Sequence, residues 1–240
     1  MAAFKSQLRE LTEAQKQEAF EKACKEADFT EGRLVRITEE YYQTALEFIR
    51  TNFLVQEPIE KALGVPWNDE VKDFWLSMYK CNVSIMLLAD DGDVIAIRTS
   101  RFLTYDEVPD DDAIQTPTLR LLEVFCHRGE AKADFFGHFG AKECIHFFGL
   151  GTNDKYRHHH LATRMLNASV AFAKHLGIDP IYIKGEGSNI YSKLVYEHSG
   201  FELLHEEMFD DFVVDGVKPI QNTGENKSLR FYGLKISSKQ

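Results

Sequence analysis

Apolar residues recur at Tyr42, Leu46, Ile49 and Phe53, the spacing of a helix with one buried face, and Thr38 with Glu39 and Glu40 supplies its start signal. Pro58 pushes Glu57 out of the helical region, so this helix is expected to end before Glu57, at a bend. Pro58 to Gly64 then predicts a short helical turn with a glycine cap. A further helix is expected over about 69–80. Alternation over Gly32–Ile37 predicts a short strand, and the runs Val83–Ala89 and Val94–Ser100 around Asp90-Asp91-Gly92-Asp93 predict an antiparallel hairpin. The acidic, proline-bracketed stretch from Asp106 to Pro117 reads as a mobile loop, and Leu119–Phe139 as one or two helices.

The second half is more regular. Cys144–Thr152 is compact and apolar, as suits a central strand, and Ala162–Leu176 has helical spacing before Gly177, a C-cap. Pro180–Lys184 predicts a strand, Asn189–Ser199 a helix, and Phe201–Phe212 with Leu229–Ile236 a final strand pair. Residues 4–28 carry only a thin stripe of Phe4, Leu8, Leu11, Ala19 and Ala23, broken at Gln15. They are expected to form an N-terminal helical appendage (residues 1–31) to one main domain (32–238).

At 240 residues, 44% hydrophobic and 28% charged, the chain supports one well-buried core. It lacks an apolar run of membrane-spanning length and a signal-peptide pattern, and the expectation is a soluble, cytoplasmic protein. Cys24, Cys81, Cys126 and Cys144 are scattered, as free thiols in a reducing compartment would be. A net charge of −10 argues against a nucleic-acid partner and suits a cationic substrate. His158, His159 and His160 are consecutive and point in different directions, so no metal is predicted.

One segment indicates a chemistry. After the Cys144–Thr152 strand, Tyr156-Arg157-His158-His159-His160-Leu161-Ala162 forms a turn into a helix, and successive amides at a helix N-terminus favour a phosphate-bearing ligand. Asn189 stands twelve positions before Phe201 and Tyr196 five before it, with Gly200-Phe201 closing the segment. This combination resembles the GNAT acetyltransferase superfamily. Phe53-Leu-Val-Gln-Glu57-Pro58-Ile59, Ser188 with Ser192, and Glu207-Met-Phe-Asp-Asp-Phe-Val-Val-Asp-Gly resemble, more narrowly, the invertebrate arylalkylamine N-acetyltransferases. The departure is His160, where the family's turn has its first glycine.

The resemblance implies an α/β (α+β) GNAT fold, with a mixed sheet of about seven strands, a splayed central pair and helices on both faces. It implies acetyl-CoA as co-substrate and a small primary amine as acceptor, with no nucleic acid or membrane partner and a monomer or weak homodimer. Leu150, Gly151, Thr152, Arg157, His158, His159, His160, Leu161, Ala162, Thr163 and Asn189 would hold the coenzyme, with a strand bulge at Gly151. Glu57 would be the general base, because an alkylammonium with a pKa near about 10 cannot attack while protonated. Tyr196 would donate to the leaving thiolate in preference to Ser192 or Ser188.

From the residues alone, Glu57 is equally a surface carboxylate at a turn, Ser188 and Asn189 are helix caps, and Tyr196 is core packing. Phe53, Tyr79, Phe102, Tyr105 and the Asp106–Asp112 loop are placed by position as substrate walls. Two other functions fit the same residues: a degenerate acyl-CoA-binding or interaction module, and an acetyltransferase for protein N-termini or lysines.

Overall fold

The computed structural model describes residues 4–156 and 160–237. In chain order its elements are α1 (Glu13–Glu26), β1 (Arg33–Arg36), α2 (Tyr42–Phe48), α3 (Leu54–Gln56), α4 (Pro58–Leu63), α5 (Asp69–Tyr79), β2 (Ile85–Leu88), β3 (Val94–Thr104), α6 (Pro117–Ala133), α7 (Phe135–Phe139), β4 (Glu143–Thr152), α8 (Leu161–His175), β5 (Ile181–Gly187), α9 (Ile190–His198), β6 (Glu202–Met208) and β7 (Ser228–Ile236). The strands make one seven-stranded sheet in the order β1-β2-β3-β4-β5-β7-β6. All neighbours are antiparallel except β4 and β5. The expected mixed α/β sheet of about seven strands is therefore the fold of the chain.

Two apolar layers sandwich this sheet. On one face α1, α8 and α9 bury Ala19, Phe20, Leu166, Phe172 and Val195. On the other, α2, α5 and α6 bury Leu46, Trp75, Leu122 and Phe125. Strands buried on both faces read as continuous apolar runs, which is why Ile85–Leu88 shows no alternation.

Three local features differ from the expected pattern. α1 begins at Glu13, because Thr12 and Gln15 form a reciprocal capping box, so the apparent break at Gln15 is the helix start. The segment before it lies against the domain, with Leu8 buried, and α1 itself packs on α8, the Phe20 ring edge-on to Phe172 at 5.7 Å between centroids. The expected long helix over residues 38–56 is interrupted by a π turn at Ile49–Phe53 between α2 and α3, a form common at functional sites. The acidic stretch before α6 is held down: Asp111 pairs with His127 at 2.8 Å, and Glu70 accepts from the amides of Gln115 and Thr116 at 2.8 and 2.6 Å.

The sheet opens at its centre. β4 and β5 are paired only at Ile145–Ile183, His146–Lys184 and Phe147–Gly185, although β4 continues to Thr152. The β3–β4 register shifts as Ser100 faces Phe147 and Thr99 faces Gly149, leaving Phe148 as the extra residue. The irregularity thus falls at Phe148, three residues before the position anticipated at Gly151. Gly151 instead lies where an added Cβ would meet Phe48 at 3.0 Å and Phe53 at 3.2 Å, so its lack of a side chain is a packing requirement.

Candidate active site

A cleft of about 1010 Å³ opens at this parting of the strands. It is lined by Leu150, Gly151 and Thr152 from β4, by His160, Leu161, Ala162 and Thr163 at the start of α8, and by Ser188, Asn189 and Ser192 where β5 gives way to α9. Phe48, Phe53 and Phe148 form aromatic walls, and Glu57, Glu60, Glu130 and Glu186 line it as well. Among the described residues, every catalytic or coenzyme-binding residue anticipated from the sequence lines this one cleft except Tyr196. Arg157, His158 and His159 lie outside the described residues.

Glu57 ends α3 and caps α4. Its backbone is extended (φ −64°, ψ 126°), as expected before Pro58, and its Oε2 accepts from the amides of Ile59 at 2.8 Å and Glu60 at 2.6 Å. Ser188, from across the cleft, lies near enough to the Glu57 carboxyl to favour its anion. These donors favour the anion, but burial outweighs them and the Glu57 pKa is raised above the ordinary carboxylate range. The result is a carboxyl fixed in place by two backbone donors and disposed to take up a proton.

Asn189 is the N-cap of α9: its side chain accepts from the Ser192 amide at 2.8 Å, while Ser192 Oγ accepts from the Asn189 amide at 3.2 Å and donates to the Asn189 carbonyl at 3.0 Å. Asn189 and Ser192 thus shape the helix end and face the cleft together.

Tyr196 is core. Its ring is 1% exposed, stacks on Tyr232 with centroids 4.9 Å apart, and packs on the face of Gly185. Its hydroxyl donates to the Phe147 carbonyl at 3.2 Å and accepts from Arg98 Nη1 at 3.1 Å. It therefore sits under the last β4–β5 pair, where the strands part. Arg98 is itself 1% exposed, with Nε and Nη2 lacking hydrogen-bond partners among the described residues, and its guanidinium lies 5.0 Å from the Phe147 ring centre.

The start of α8 carries the main departure from the expected pattern. His160 adopts φ 52°, ψ 30°, the left-handed conformation that glycine takes without steric conflict, and its side chain is exposed. Its carbonyl accepts from the Arg164 amide at 3.0 Å, so His160 begins the helix. Leu161, Ala162 and Thr163 follow as the first helical positions, whose amides have no intrahelical acceptor.

Of the proposed substrate walls, Phe53 alone lines the cleft. Tyr79 is buried with its hydroxyl 3.4 Å from Thr99, Phe102 is in the core beneath Lys16, and Tyr105 is exposed against Phe4. The aromatic contribution comes instead from Phe48 and Phe148. Glu60, Glu130 and Glu186 were also not anticipated; the available signals were the i, i+3 spacing of Glu57 and Glu60 on one helix and two charges, Lys184 and Glu186, inside an otherwise apolar strand.

The fold and cleft have known counterparts. A model of the Acetyltransferase (GNAT) family matches residues 56–201, more than half of the chain, and the chain belongs to that family. GNAT acetyltransferases take their acetyl group from acetyl-CoA. Among solved structures, arylalkylamine N-acetyltransferase 2 of Aedes aegypti superposes with a TM-score of 0.78 at 21% identity, over 84% of this chain and 97% of that one. A polyamine N-acetyltransferase of Drosophila melanogaster, which catalyses formation of N-acetylagmatine, superposes with a TM-score of 0.76 at 16% identity, over 85% and 99% of the two chains. At 21% and 16% identity these are likenesses of fold. Among the described residues, no helix is long and apolar enough to cross a membrane.

Proposed function

We propose that this protein is an acetyl-CoA-dependent N-acetyltransferase acting on a small primary amine, an arylalkylamine or other biogenic amine, with Glu57 as general base. The observation that supports this most is the placement of a buried carboxyl with raised affinity for protons in the same cleft as the stretch of β4 that β5 leaves unpaired and the first turn of α8. The solved relatives that act on arylalkylamines and agmatine favour a small amine over a peptide as acceptor.

The residues present suit the coenzyme. Amides at Leu161–Thr163 and the left-handed backbone at His160 make an anion-binding start to α8, and among the described residues the β5 side of β4 beyond Phe147 has no paired strand. Arg157, His158 and His159, outside the described residues, are proposed from the sequence alone as further phosphate contacts. When bound, acetyl-CoA supplies the thioester that the amine attacks. Glu57 takes the proton from the ammonium, and Ser188 keeps the carboxyl oriented. The backbone of Leu150–Thr152 receives the acyl carbonyl. Ser192 lines the cleft, which Tyr196 does not, and becomes the donor to the leaving sulfur when its hydroxyl turns from the Asn189 carbonyl it caps. Tyr196 acts as a positioning residue that fixes Phe147 at the parting of the strands.

Free-thiol release over a panel of tryptamine, dopamine, octopamine, short alkylamines and a basic peptide tests the reading. Turnover of one or more small amines is expected. Turnover of the peptide alone would make the protein a peptide acetyltransferase, and a thermal shift by acetyl-CoA without any turnover would make it a degenerate acyl-CoA binder. His160→Gly is expected to tighten acetyl-CoA binding by roughly threefold, about 0.7 kcal/mol, because glycine adopts the required backbone freely and opens the approach to the amides. Calorimetry checks this, and a tenfold weaker Kd, about 1.4 kcal/mol, would mean that the imidazole itself holds the phosphates.

A further inference from the structure

The cleft holds a carboxylate that transfer to a simple amine does not use. Glu60 lies three positions after Glu57 on α4 and lines the same cleft, yet it is only 4% exposed. Its Oε2 has no hydrogen-bond partner among the described residues. The charges that act on it most are the carboxylates of Glu57 and Glu123, and with burial they hold its pKa well above the ordinary range. A buried acid without a partner is unfavourable in the free protein, and an arriving cation is the chemistry that would satisfy it.

Two neighbouring carboxylates are already served. Lys184 Nζ contacts Glu130 and stands 3.4 Å from Glu186, and His146 Nε2 is 2.7 Å from Glu186 Oε2. Glu130, His146 and Glu186 bring ligand atoms within 4.8 Å of one another, as a metal site would, but Lys184 already supplies the positive charge there. Glu130 accordingly has its pKa lowered to about 2 by Lys184 and His146 against its burial, the reverse of Glu60. Unlike Glu130 and Glu186, Glu60 has no cation beside it among the described residues, and unlike Glu57 its Oε2 accepts no hydrogen bond; Phe48, Phe53 and Phe148 offer apolar walls for a methylene chain.

We propose that Glu60 receives a second cationic group of the acceptor, so that the preferred substrates are dicationic alkylamines, with one amino group presented to Glu57 and the other neutralised by Glu60. This rests on the acetyltransferase reading above. As the second cation enters, the Glu60 proton leaves to solvent and the buried carboxylate gains its counter-ion.

The test compares 1,5-diaminopentane with n-pentylamine, equal in length and differing in one charge, in the full chain and in Glu60→Gln. The glutamine keeps the shape of the neutral acid that the free fold favours, so the variant is expected to fold, and circular dichroism and thermal melting check that it does. The wild type is expected to favour the diamine in kcat/KM by roughly tenfold or more, the usual size of a hydrogen bond to a charged group, and Glu60→Gln is expected to abolish most of that ratio. No preference in the wild type, or a ratio unchanged in the variant, overturns the proposal. Calorimetric binding of the two amines in the presence of coenzyme A is read in parallel. If neither amine is acetylated, the acetyltransferase reading is decided by the wider amine panel, while a binding preference for the diamine that is lost in Glu60→Gln still supports the cation site. Equal binding, or none, removes it.

Discussion

Glu57→Gln is expected to lower kcat/KM for the preferred amine by roughly two to three orders of magnitude at pH 7, the range that removal of a general base produces. Glutamine retains an oxygen that can accept from the Ile59 and Glu60 amides, so the cap of α4 and the fold should survive. The deficit should depend on pH in a definite direction. The wild-type rate should rise as Glu57 loses its proton, and because burial raises the Glu57 pKa, that rise lies above the ordinary carboxylate range. The variant has no base and depends on amine that is already free, a fraction that grows tenfold per pH unit toward a substrate pKa near about 10. The two profiles should therefore converge at high pH. Initial rates across pH 6–10 measure this, and parallel profiles with equal rates would remove Glu57 from the mechanism.

The second large effect is expected from Gly185→Ala. An added Cβ would stand 2.7 Å from Tyr196 Cζ and 2.8 Å from Cε1 and would also meet the hydroxyl. The ring cannot retreat, since Tyr232 stacks on it and Phe201 packs edge-on at 5.0 Å. Either the sheet or the ring must move, and the hydroxyl's bonds to Phe147 and Arg98 are strained or lost with it. Overpacking of a filled core costs about 1–3 kcal/mol, and leaving buried Arg98 without that partner adds about 1–3 more, so a loss of about 3 kcal/mol is expected. Urea denaturation measures it, and a loss under about 1 kcal/mol would mean that the packing under the strand opening is tolerant. Activity should fall as well, because the same ring supports Phe147 where β4 and β5 separate.

Much of the scaffold was legible in the chain because its elements are set by local chemistry. Pro58 ends one helix and starts another, Gly64 caps it in the left-handed region, and Asn189 caps α9, all as the residue types require. The misplaced features have non-local causes. Phe148 is the bulged residue because of its pairing with β3, and Phe102 was placed at the substrate when it lies in the core, since alternation along a strand buried on both faces does not tell one face from the other.

The same division holds for the site. By itself the sequence determined the GNAT pattern, the sheet it builds and, at the strand opening, Glu57, Ser188, Asn189, Ser192 and the start of α8, because a turn after a strand and a capped helix at a fixed spacing depend on neighbours in the chain. The tertiary structure alone decided that the Tyr196 hydroxyl is spent on Phe147 and Arg98, that His160 holds a glycine-like backbone, and that Glu60 is buried in the cleft without a cation. Burial and partnership arise between segments far apart in sequence, and those two quantities set the proton affinity and charge of a side chain.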